Sequence, residues 1–105
     1  MKIDTLLTSG QAPTTFIPFY TVSPTKKMGL KHIVLHNIDT LKHIQTEIYL
    51  YNTGSMNKVY DFFIRPNETI DIHNEFPFMF NSLEPIYIIS AEENKINVNL
   101  YGRLR

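Results

Sequence analysis

Residues 85–101 read "PIYIISAEENKINVNLY", and they decide the fold class. Ile96, Val98 and Leu100 alternate with Asn97, Asn99 and Tyr101. That two-residue period belongs to a strand with one dry and one wet face. The preceding "PIYIISA" is nearly apolar throughout, as suits a strand placed centrally with both faces covered. The polar "AEENK" between them reads as a turn.

Working outward, the same grammar recurs. Turn clusters such as "SPTKKMG", "HNIDT", "YNTGSMN", "RPNE" and "FNSLEP" punctuate the chain at short intervals. Between them the spacing predicts strands near 15–22, 30–37, 44–51, 58–64, 69–73, 86–91 and 96–101. Isoleucine, threonine, tyrosine and phenylalanine are abundant, whereas alanine occurs only at positions 12 and 91. Such residues suit a half-buried pleated surface better than a helix. Only 41–51 is ambiguous, since Leu41, Ile44, Ile48 and Tyr51 also have helical spacing. Its β-branched and aromatic content, and the "NTG" that follows, favour a strand. The expected fold is all-β: a single small antiparallel β-sandwich, jelly-roll or immunoglobulin-like, with an extended N-terminal arm. Residues 1–14 form that flexible arm, through the linker-like "SGQAPT", and 15–105 the sandwich domain.

Composition narrows function. A chain of 105 residues makes one domain with a thin core, which leaves little room for a deep catalytic cleft. Ten basic and ten acidic residues cancel, giving no electrostatic footprint for nucleic acid. The absence of cysteine removes disulfides, thiolate metal sites and cysteine nucleophiles together. No apolar run approaches the roughly 20 residues that span a bilayer. The patch at Leu6–Leu7 is too short for a secretory signal, so no membrane partner is expected.

Chemical motifs are sparse. In "TIDIHNE" (69–75), Asp71, His73 and Glu75 project from one face of an extended strand and Ile70 and Ile72 from the other. Imidazole and carboxylate suit zinc or iron, and His32 or His36 could complete a ligand set if their strand lay alongside. Alternation alone accounts for the row as the wet side of a strand, and no metal ligand is assigned. Glu68, Asp71, Glu75, Glu84, Glu92 and Glu93 lie in or beside turns, where carboxylates are solvated. The serines lack a G-x-S-x-G elbow, and Gly10, Gly29, Gly54 and Gly102 form no phosphate loop. Asn67-Glu68-Thr69 fits a turn better than a glycosylation acceptor. No catalytic residue and no cofactor is expected.

"FPFMF" (76–80) places Phe76, Phe78 and Phe80 on one face and Met79 on the other. Core packing under a loop is one reading. A contact surface formed by Phe76, Phe78, Met79 and Phe80 is the other, since Phe and Met are enriched at interface cores. Tyr49, Tyr51, Tyr60, Tyr87 and Tyr101 could serve contacts likewise, or stack on sugars, although tryptophan is absent.

"KHIVLHNI" as an early core strand, the "YNTGS" turn, the "RPNETI" entry, "IYIISA" and the closing "INVNLYG" together resemble small structural proteins of tailed bacteriophages. These are β-sandwich accessory components of the head or tail. The resemblance covers about residues 30–102 and brings no catalytic residues with it. It implies a non-enzymatic virion protein, a capsid auxiliary or decoration protein assembled in the host bacterial cytoplasm. Its partners would be the major capsid or other virion proteins and its own copies. A carbohydrate-binding β-sandwich module is the alternative.

Overall fold

The structure is a computed structural model that describes residues 5–52 and 55–105; the side chains of residues 52 and 74–77 are not among those described. Eight strands appear among the described residues: β1 Thr5–Gln11, β2 Tyr20–Thr21, β3 Met28–Asn37, β4 Ile44–Asn52, β5 Ser55–Ile64, β6 Thr69–Phe80, β7 Pro85–Ser90 and β8 Ile96–Leu104. They form two four-stranded sheets, ordered β1-β8-β3-β6 and β2-β7-β4-β5. All pairings are antiparallel: β4 with β5, β3 with β6, β2 with β7 and β1 with β8, joined by β3–β8 and β4–β7. The chain is thus one long hairpin, folded back between β4 and β5 and rolled so that successive pairs fall on opposite sheets. That is the jelly-roll order. It decides between the two sandwich topologies left open by strand spacing.

The inner faces meet in a core of branched aliphatics. Met28, Leu30, Ile33, Leu35, Ile96, Val98 and Leu100 come from one sheet, and Ile44, Ile48, Ile64, Ile86 and Ile88 from the other. Strand β3 reaches this core by changing parity, since 28 and 30 face inward and so do 33 and 35. A bulge between Leu30 and His32 absorbs the extra residue. Without it, His32 would point inward with Leu30.

Three expectations are corrected. Residues 5–13 are not an arm outside the sandwich. Thr5–Gln11 pair with β8, Ala12 N–H donates to Ile96 O at 2.9 Å, and Ser90 N–H donates to Pro13 O at 2.8 Å. Ala12 itself is buried. β1 is an edge strand whose residues are mostly exposed, so it lacks the apolar alternation that reveals a strand in sequence. Conversely, 15–22 shrinks to Tyr20–Thr21. Pro18 has no N–H for a ladder, and Ile17 N–H turns back to Thr15 O at 2.8 Å. Finally, "FPFMF" does not lie under a loop: β6 continues through Phe80 along β3. Of the ambiguous segment 41–51, residues 44–51 are strand and 41–43 are not, and β7 is central as expected, although Tyr87 and Ile89 on its outer side are only half-buried. The Gly54 turn lies outside the described residues, between the register partners Asn52 and Ser55.

Among the described residues three polar side chains are buried: Asn37, Thr46 and Ser90. Ser90 Oγ–H donates to Glu92 O at 2.8 Å. Among the described residues Thr46 Oγ1 has no hydrogen-bond partner. Burying an unpaired hydroxyl is unfavourable, so Thr46→Val should raise the unfolding free energy by up to about 1 kcal/mol. Urea denaturation would show this as a higher midpoint at unchanged slope. A lower midpoint would mean that the hydroxyl is satisfied, for instance by a buried water.

Candidate functional site

The outer face of the first sheet carries the residues singled out in "TIDIHNE". Ile72 is buried and Ile70 half-buried against the core, whereas Asp71 and His73 stand on the exposed side. The side chain of Glu75 is outside the described set. Strand β3 does lie alongside, and the bulge sets His32 directly opposite His73. Their rings meet edge to face with centroids 4.1 Å apart. His32 Nδ1 is 3.2 Å from His73 Nδ1 and 3.2 Å from Asp71 Oδ1. A carboxylate oxygen only accepts, so His32 Nδ1 carries the proton and His73 Nδ1 accepts from it. Tyr101 of β8 stands beside His32, edge to face at 6.3 Å, and with Val34 completes a shallow open depression. His36 does not join this group; its Nδ1 meets Thr69 Oγ1 at 2.7 Å. Among the described residues no group of three or more His, Asp or Glu encloses a metal position.

The outer face of the second sheet holds a different cluster. Tyr49 and Tyr87 are register partners, and Phe16, more than half exposed, packs over both. Its ring stacks on Tyr87 at 4.4 Å and meets Tyr49 edge-on at 5.0 Å. Next to it Glu47 and Asp61 face each other across β4 and β5. Two carboxylates so placed repel, and Lys58 Nζ sits between them at 3.1 and 3.2 Å. The hydrogen bonds that Lys58 Nζ donates to Glu47 and then Asp61 push its pKa upward. The Gln45 amide, then Lys58, pull the Asp61 carboxyl below its usual range. An ammonium held between two carboxylates offsets their mutual repulsion.

Three further carboxylates serve turns. Glu68 Oε1 accepts from Arg65 N–H at 3.0 Å and Glu84 Oε1 from Asn81 N–H at 2.6 Å. Asp39 accepts from the Leu41 and Lys42 N–H groups at 2.7 and 2.9 Å, and these, with Lys95 at 3.2 Å, hold its carboxyl at about 2. Asn67, where a turn was expected, has φ of 60°.

Of the four residues read as a contact surface, Phe80 is buried in the core and Phe78 packs half-buried against it. Met79 is 61% exposed, and the side chain of Phe76 is outside the described set. The five tyrosines do not share one platform: Tyr101 lies on the first sheet, and Tyr60 stacks on Phe62 at 5.6 Å against the core. Sequence reasoning missed Phe16, because only folding brings its loop over β4 and β7.

The geometry defines a jelly-roll β-sandwich with a packed apolar interior and its polar clusters on the two outer faces. No protein-family model, curated protein or solved structure matches the chain.

Proposed function

We propose that the chain is a non-enzymatic structural protein of a tailed-bacteriophage virion, a capsid auxiliary or decoration protein that works through protein–protein contacts. The same contacts could operate at the neck or tail. The observation that carries the reading is the open side of the roll. There β5 and β6, ten and twelve residues long, are the outermost strands of their sheets. Edge strands present unpaired backbone groups to which a second chain can add. Exposed Val59 and Phe63 on β5 and Met79 on β6 supply apolar area beside that backbone. Jelly rolls recur in viral capsids, which supports the reading by analogy of fold. Many weak identical contacts on a symmetric lattice would then add through avidity.

Light scattering after size exclusion tests the edge directly. The full chain should form a closed oligomer, and Val59→Lys with Phe63→Lys should dissociate it while the β-sheet circular dichroism persists. A monomer at every attainable concentration would count against the reading. The carbohydrate-binding alternative draws on the Phe16–Tyr49–Tyr87 cluster with Gln45 and Glu47 beside it. Saturable glycan binding that disappears in Phe16→Ala and Tyr87→Ala would favour it instead.

A further inference from the structure

We infer that His32 and His73 form a two-histidine clip for a divalent transition-metal ion such as Zn2+, bound through both Nδ1 atoms on the outer face of the first sheet. The inference is independent of the virion reading. In a tetrahedral zinc site with Zn–N near 2.0–2.1 Å, neighbouring ligand nitrogens stand about 3.3–3.4 Å apart. The two Nδ1 atoms are already 3.2 Å apart, and Asp71 Oδ1 is 3.2 Å from His32 Nδ1. Paired strands hold that spacing. His32 and His73 are register partners on β3 and β6, and the bulge at residue 31 keeps His32 on the outer face.

Both rings lie on the accessible face, so small rotations about χ2 can aim the two lone pairs at one point. Binding needs both Nδ1 atoms unprotonated. The proton that His32 Nδ1 shares with His73 and Asp71 transfers through water to Nε2 of the same ring, so the imidazole stays neutral. Asp71, released from that hydrogen bond, offers a negative charge beside the ion. The described residues form no three-residue cage, so water fills the remaining positions. Such a two-ligand site is exchangeable, unlike a closed structural zinc site. His36 provides an internal control, being a histidine on the same face engaged with Thr69 instead.

The test is calorimetric titration of the untagged full chain with ZnCl2, followed by imidazole nitrogen NMR. One saturable site per chain is expected, with the largest nitrogen shifts at Nδ1 of His32 and His73. His32→Ala and His73→Ala should each weaken binding at least about tenfold, and His36→Ala should leave it unchanged. All three substitutions are on the outer face, and circular dichroism checks that the variants fold. No saturable binding, or binding that survives the His32→Ala, His73→Ala double substitution, overturns the inference.

Discussion

Asn37→Leu should lower the unfolding free energy by about 3 kcal/mol, seen as a large drop in the urea midpoint. Asn37 closes β3 and is fully buried, and both polar atoms of its amide are hydrogen-bonded. Its NH2 group donates to Lys42 O and Ile64 O, both at 2.9 Å, and its Oδ1 accepts from Asp39 N–H at 2.9 Å. One side chain thus ties the end of β3, the connection that crosses between the sheets, and the end of β5. Leucine has the same branched outline but no polar atom, so those three backbone groups lose their Asn37 partner. Asn37→Asp sharpens the argument, because a carboxylate would face two carbonyl oxygens. Its destabilisation should exceed that of leucine at neutral pH and shrink as acid protonates the new carboxyl. Equal midpoints for wild type and Asn37→Leu would mean that water satisfies all three groups.

Gly102→Ala should be of comparable severity. A Cβ at position 102 would overlap the carbonyl oxygen of Gly29 on the neighbouring strand and lie 3.0 Å from its carbonyl carbon and 3.1 Å from Leu30 Cα. All three are backbone atoms next to the β3 bulge, so no side-chain rotation relieves the overlap. Strands β3 and β8 must separate locally, at about 3 kcal/mol or more. Thermal unfolding should fall by about 10 °C or more for a domain of this size. A midpoint within about 2 °C of wild type would show that the strands shift apart freely.

Both residues illustrate what sequence reading reaches. Seven of the eight strands had a sequence signature, because Ile96-Val98-Leu100 and Ile33-Leu35 record which face is dry. β1 left none, since its ladder to β8 is made by the backbone and its side chains stay mostly exposed. Asn37 sat within "HNIDT" as one turn residue among several, and its three partners lie 2, 5 and 27 positions away. The candidate site was half legible. Alternation in "TIDIHNE" put Asp71 and His73 on the outer face, but which histidine joins them depended on a bulge and a register.

The sequence by itself determined the all-β class, the dry face of most strands and the lack of a recognisable catalytic motif. These follow from local periodicity and composition, which need no knowledge of neighbours. Only the tertiary structure decided the jelly-roll order, the membership of β1, and the meetings of His32 with His73 and of Phe16 with Tyr87. The physical reason is the same in each case. Strand pairing is made by backbone groups that every residue carries, so the choice of partner rests on how two whole faces close around one core.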